Sequence, residues 1–153
     1  MKTDFLTPEL IAYEEIFPVW RNHLWPERQD PIESMSAMTF PSGIDAGVMR
    51  LYKPSFFGIR HQGKLIAVNS GHLTSKFDYR SRGLYVDPEF RNQGLAQKLL
   101  DAAARQGASE GAILMWSYPR RSALFSYLNF GFLESDISPE SETNCYVWKR
   151  IVR

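Results

Sequence analysis

The chain has 153 residues, 44% apolar and 23% charged, with 18 basic against 17 acidic side chains and a formal net charge of +1. That length suits one compact domain over residues 1–153, the apolar share excludes disorder for most of it, and the charge balance gives no support for nucleic-acid or membrane-surface binding. A lone cysteine, Cys145, cannot close an internal disulfide and fits a reducing compartment. The segment from Met1 to Glu9 lacks the apolar core of a signal peptide, and no uncharged apolar run approaches the ~20 residues of a membrane span. A soluble, cytoplasmic protein is expected.

Thr7-Pro8-Glu9 reads as a helix opening, with a hydroxyl at the N-cap, proline at the first position and a carboxylate in the first turn. Leu10, Tyr13, Ile16 and Phe17 keep helical spacing, Pro18 should kink or stop the helix, and Trp20, Leu24 and Trp25 carry an apolar face up to Pro26. Asp30-Pro31-Ile32-Glu33 has capping-box spacing and predicts a short second helix through Met38. Residues 40–52, with Pro41, Gly43 and Gly47, read mostly as loop. Residues 56–72 read as a β-hairpin turning at Gln62-Gly63, its second arm placed centrally in a sheet. Residues 75–82 read as a polar connection, followed by a strand from Gly83 to Val86. A helix to about Gln106 follows, with Gly107 just past its end; Ala112 to Ser117 is a buried strand suited to parallel pairing. Ala123 to Leu128 is a short helix ended by Asn129-Phe130-Gly131-Phe132, and Cys145 to Ile151 alternates as a closing strand. This order gives an α/β fold with a mixed sheet.

The stretch Leu84-Tyr85-Val86-Asp87-Pro88-Glu89-Phe90-Arg91-Asn92-Gln93-Gly94-Leu95-Ala96 organises the rest. A strand ends at Asp87-Pro88, a polar loop with one glycine follows, and Leu95, Leu99, Leu100 and Ala103 then mark a helix face. The unpaired N–H groups and partial positive charge of a helix start suit a pyrophosphate. Gly94 lets an anion approach the backbone, Ala96 is too small to screen it, and Arg91 adds a cation at the rim. The bland alternative is an ordinary strand–turn–helix.

Arg91-x-x-Gly94-x-Ala96 after a strand ending Val-Asp-Pro resembles the acyl-CoA pyrophosphate loop of the GNAT superfamily of N-acetyltransferases. A second stretch, residues 123–132, resembles the family segment that ends in Gly-Phe with a tyrosine four residues before the glycine, here Tyr127. The resemblance implies a single GNAT-like domain with a mixed, mostly antiparallel sheet flanked by helices, binding acetyl-CoA and passing its acetyl group to a primary amine by direct attack. It implies a pyrophosphate site at Arg91, Asn92, Gln93, Gly94, Leu95 and Ala96. Pantetheine would pair along Leu84, Tyr85 and Val86, which requires the strand at Ala112 to splay away, and a strand N–H near Val86 would polarise the thioester carbonyl. Tyr127 becomes the general acid for the departing thiolate, since a phenol and a thiol have similar pKa values; simple packing is the other reading. Where the family often has an asparagine three residues before the helix, this chain has Arg120, next to Arg121. The pair either meets phosphates in forked geometry or stands solvated at a helix start.

Family members carry a Glu or His base on the strand before the loop, or use a chain of waters. Residues 82–86 offer neither side chain, so the nearest candidates are Asp78 and His72, which read otherwise as a turn residue and a strand-end polar group. His23, His61 and His72 lack metal-ligand spacing, so no metal is expected. The partner is an unknown small-molecule or peptide amine, with a homodimer one reading of the assembly. Trp20, Trp25, Phe40, Tyr52 and Phe56 either line the acceptor pocket or fill the core. Lack of an acidic run argues against a polycationic acceptor. The rival reading is a non-catalytic acyl-CoA sensor or partner-binding module of the same fold.

Overall fold

The computed structural model describes residues 6–41 and 43–151; the first five residues of the N-terminal segment, Ser42 in the 40–52 loop and residues 152–153 lie outside them. Among the described residues one mixed sheet runs in the order β1 (Glu9–Ile11), β2 (Ser55–His61), β3 (Lys64–Leu73), β4 (Asp78–Val86), β5 (Leu114–Ser117), β7 (Val147–Arg150), β6 (Leu133–Glu134). Every neighbouring pair is antiparallel except β4 and β5. This is a single α/β domain of the expected kind, with β3 an interior strand next to the central β4. Helices α3 (Leu95–Ser109) and α4 (Leu124–Phe130) cover one face, burying Ile59, Ile66, Tyr79, Leu99, Leu100 and Met115. The other face is covered by α1 (Tyr13–Val19), over Ile16, Trp20, Ile32, Phe56 and Val68. The residues between α1 and β2 include one short helix, α2 (Val48–Leu51).

Several elements differ from the sequence reading. Residues 9–11 extend as β1 because β2 offers an edge to pair with, so the first helix opens at Tyr13 with Glu15 Oε2 accepting from the Ala12 N–H at 2.9 Å. Pro18 neither stops nor sharply breaks the helix; the chain widens into a π-helical turn over Trp20–Leu24, closed by Trp25 N–H to Trp20 C=O at 2.8 Å. No helix forms over 30–38: the Ile32 carbonyl accepts from the Tyr13 hydroxyl and the Glu33 carbonyl from Arg82, so both are committed outside the segment. The 75–82 connection is mostly strand, since β4 begins at Asp78. Helix α3 runs past Gly107, whose added Cβ would sit 2.8 Å from Tyr79 Cγ; the glycine permits helix–sheet contact rather than ending the helix.

Gly83 sets which side chains meet which face. Between the Val68–Tyr85 and Ser70–Arg82 pairs, Gly83 and Leu84 together oppose Asn69, a β-bulge that shifts the alternation of β4 by one. Arg82 therefore lies against Trp20 on the α1 face, while Leu84 and Val86 join the core under α3. Gly83 has φ +77°, and a Cβ there would fall 2.3 Å from Trp20 Nε1, which donates to the Gly83 carbonyl at 2.9 Å.

His72 is fully buried on β3, opposite Arg80. Its Nε2 accepts from the Ser36 N–H at 3.4 Å, so Nδ1, 3.1 Å from the Leu73 carbonyl, is the donor of a neutral ring. Burial first, then the Arg80 charge, holds its pKa at about 3.

Two outcomes follow from this packing. Gly83→Ala is expected to lower stability by roughly 2–4 kcal/mol in urea unfolding, from left-handed strain plus the clash with Trp20. The His72 ring binds its proton near pH 6.5 in the unfolded chain but only near 3 when folded, so stability present above pH 6.5 is lost as pH falls toward 3. Unfolding free energies at pH 7 and pH 5 should therefore differ by about 2 kcal/mol more in the parent than in His72→Gln.

Candidate active site

The parallel ladder between β4 and β5 pairs Asp78 with Leu114, Tyr79 with Met115 and Arg80 with Trp116, and goes no further. The last tie comes from a side chain: Ser117 Oγ donates to the Ser81 carbonyl at 2.6 Å. Beyond it Tyr118-Pro119 carries the chain away, and a cleft of about 570 Å³ opens, with Leu84, Tyr85 and Val86 on one wall and Tyr118, Pro119 and Tyr127 on the other. The splay that the resemblance demanded is present. The Asp87 N–H donates to Ile66 C=O on β3 at 2.7 Å, so strand alternation turns the N–H and C=O groups of Val86 and Leu84 away from β3. The Val86 carbonyl accordingly accepts from Arg91 Nε at 2.9 Å.

Asn92 (φ +63°) and Gly94 (φ +79°) turn the loop into α3. The first intrahelical bond is Lys98 N–H to Gly94 C=O at 3.2 Å, and no side chain caps the helix. None of the N–H groups from Asn92 to Gln97 finds an acceptor among the described residues. A Cβ on Gly94 would meet nothing within 4 Å, so space for an anion lies directly over the loop. Arg91, Asn92, Gly94, Leu95 and Ala96 line the cleft; Gln93 does not, and its Oε1 is buried without a partner. The Gln97 side chain donates to Ser126 C=O at 3.0 Å, tying α3 to α4 across the cleft floor.

Tyr127 is 2% exposed, and its hydroxyl lies 3.3 Å from Ser117 Oγ at the vertex of the splay. Because Ser117 commits its one proton to the Ser81 carbonyl, the phenol is left to donate. Burial pushes the Tyr127 phenol above its ordinary pKa, so it holds its proton at neutral pH. The basic pair is divided: Arg120 lines the cleft, donating to Leu24 C=O at 2.9 Å, while Arg121 pairs with Glu134 at 3.2 Å on the surface.

Neither candidate base reaches this site. The Asp78 carboxylate accepts from Ser75 Oγ at 2.8 Å at the far, closed end of β4, and His72 is locked in the core outside the cleft. The imidazole that does line it is His23, delivered by the π-helical turn and stacked on Tyr85 at 5.0 Å. Of the five aromatics considered for the acceptor pocket, Trp25 lines the cleft and the others pack elsewhere. Among the described residues no carboxylate lines the cleft, whereas Arg80, Arg82, Arg91 and Arg120 do. Sequence reasoning missed His23, Ser117, Arg80 and Arg82; the alternation Tyr79-Arg80-Ser81-Arg82 was the signal for the last two.

Among the described residues no cluster of three His, Cys, Asp or Glu side chains could hold a metal, and no helix is long and apolar enough to cross a membrane. The Cys145 thiol is buried in the core, and burial raises its pKa. The fold is similar to that of an assigned acyl-CoA N-acyltransferase from Klebsiella pneumoniae (18% identity, TM-score 0.69), covering 97% of this chain and 99% of that one. It is also similar to the PaiA N-acetyltransferase of Thermoplasma acidophilum in complex with coenzyme A (20%, TM-score 0.57, 68% and 65% covered). A third likeness is to N-acetylglutamate synthase of Neisseria gonorrhoeae, complexed with coenzyme A and N-acetyl-glutamate (16%, TM-score 0.56, 64% and 26% covered). No curated protein matches the sequence. The sequence profile of the GNAT acetyltransferase family matches residues 12–132, and with that match over most of its length the chain belongs to this family.

Proposed function

We propose that the chain is an N-acetyltransferase that moves an acetyl group from acetyl-CoA to a primary amine by direct attack, acting as a soluble cytoplasmic enzyme. The observation that carries this reading is the row of unpaired N–H groups from Asn92 to Gln97 at the mouth of a cleft with a buried, protonated phenol at its inner end. Two of the structurally similar proteins hold coenzyme A, which supports the same ligand here.

Acetyl-CoA supplies the activated thioester; the residues of this chain bind and position it. The amides of Asn92 to Gln97 and the Arg91 guanidinium hold the diphosphate, with Arg120 facing them from the other wall. The outward edge at Leu84 and Val86, where Arg91 already engages the Val86 carbonyl, pairs with the amides of the pantetheine arm as an added strand would, and a strand N–H near Val86 polarises the acyl carbonyl. His23 takes the proton the amine must lose as its C–N bond forms, and Tyr127 gives its proton to sulfur as the C–S bond breaks. Cys145 lies outside the cleft, so no thiol stands ready to take the acyl group first.

Gly94→Glu is expected to weaken acetyl-CoA binding at least ~100-fold in calorimetry, by filling the anion space with a like charge. Tyr127→Phe should lower kcat by roughly 10²–10⁴-fold while leaving the acetyl-CoA Kd unchanged. Absence of acetyl-CoA binding by the parent protein overturns the reading. Binding without turnover of any amine would leave a non-catalytic acyl-CoA-binding module.

A further inference from the structure

Two guanidinium groups sit at the cleft with no contact ion pair among the described residues, the Glu33 carboxylate acting on Arg82 only at longer range. Arg80 is 8% exposed and Arg82 6%, and neither makes an ion pair among the described residues. Buried charges of this kind are ordinarily paired, because desolvation without compensation is strongly unfavourable. The Arg80 side chain makes no hydrogen bond among the described residues; its Nε and Nη1 are buried without partners, and its guanidinium lies 5.0 Å from the Trp116 ring. The nearby phenols of Tyr127, Tyr146 and Tyr118 do not bond to it and are uncharged at neutral pH, so they supply no counter-charge. Arg82 lies over the rings of both Trp20 and Trp25, at 5.0 and 5.1 Å, and spends one nitrogen on the Glu33 carbonyl at 2.8 Å. The Glu33 carboxylate makes no ion pair with it. Burial lowers the pKa of Arg80 to about 10, and burial followed by the Arg80 charge lowers that of Arg82 to about 9, so both remain cations at neutral pH.

Both side chains line the same cleft as Tyr127 and His23 but leave β4 on the α1 face, away from the α3 start where the diphosphate reading places its anion. We propose that Arg80 and Arg82 receive the carboxylate of the acceptor, which makes the acceptor an amino acid rather than a simple or polycationic amine. This rests on the transferase reading above and names the substrate class of that site. Two guanidinium groups pre-oriented by aromatic walls match a carboxylate in geometry and charge. The acceptor then supplies the missing counter-ion, and a cleft with four arginines and, among the described residues, no acidic side chain repels a cationic amine that lacks a carboxylate.

The test uses the intact protein with acetyl-CoA, the L-amino acids and their matching carboxamides. Expected are kcat/KM values at least ~100-fold higher for the free acids than for the amides of the accepted side chains. Arg80→Gln should raise the amino-acid KM at least tenfold, leave the acetyl-CoA Kd unchanged, and leave the melting temperature equal or higher, since an unpaired buried charge has been removed. Calorimetry of the accepted amino acid on protein loaded with coenzyme A should show binding that Arg80→Gln loses, a readout independent of turnover. Equal or better turnover of the amides, or an unchanged KM in Arg80→Gln, overturns the proposal while leaving the transferase standing. Turnover of neutral amines with succinyl-CoA but not acetyl-CoA puts the carboxylate on the acyl chain and also overturns it. Failure of acetyl-CoA to bind removes the transferase reading itself, and amino-acid binding to the unloaded protein then decides the fate of the arginine site. Arg82→Gln serves as a second variant, although its packing over two tryptophans makes its folding the less secure.

Discussion

After the Arg80–Trp116 pair, β4 and β5 stop pairing, and the gap they leave is the feature on which the site depends. A parallel pair that parts exposes backbone donors and acceptors on both inner edges, and buried backbone groups do not remain unpaired without a penalty. Here the exposed groups are treated individually. Ser117 Oγ satisfies the Ser81 carbonyl at the vertex, and Arg91 Nε satisfies the Val86 carbonyl at the mouth. On the other side β5 is held in register by antiparallel pairing with β7, so the parting does not unravel it. Proline at 119 continues the departure without adding a donor.

The bulge at Gly83 and Leu84 divides labour between the two faces of β4. Without it the alternation would put Leu84 on the same face as Arg82. With it, the apolar residues that close the core under α3 lie beside Tyr127, while Arg82 lies beside Trp20 and Trp25 and Arg80 over Trp116. The separation suits the proposed pairing of an apolar thioester arm with a charged acceptor, because a guanidinium placed in the α3 core would be desolvated with no aromatic face to lie on.

The elements nearest the cofactor reading were legible because local chemistry decides them. A proline after Asp87, one glycine before an apolar helical stripe, and a Gly-Phe after a short helix act over a few residues and owe little to the rest of the chain. The hairpin at Gln62-Gly63 and the parallel strand ending at Ser117 were legible for the same reason. What failed was decided by partners remote in sequence. Residues 9–11 look helical until β2 offers an edge, and 30–38 look capped until Tyr13 and Arg82 claim two of their carbonyls. The first half of β4 looked like a polar connection because two of its alternating positions are arginine, which no propensity argument places in a buried strand. The base was sought near the loop in sequence, while the imidazole in the cleft comes from a helix some sixty residues earlier, at His23 against Tyr85.

That helix also explains how the arginine site is held together. Proline at 18 cannot donate to the carbonyl four residues back, and the chain beyond it winds more loosely, with the Trp25 N–H reaching the carbonyl of Trp20. In an α-helix two residues five apart point to different sides; the wider turn stacks them, bringing the Trp20 and Trp25 rings to 5.2 Å. Arg82 occupies the position over both rings, and Trp20 Nε1 is fixed to the Gly83 carbonyl, so the bulge and the π-helical turn position each other. The same turn carries His23 to Tyr85 and the Leu24 carbonyl to Arg120, which joins the two walls of the cleft. One wide turn over Trp20–Leu24 therefore places the aromatic seat of Arg82, the imidazole and the bridge across the cleft together.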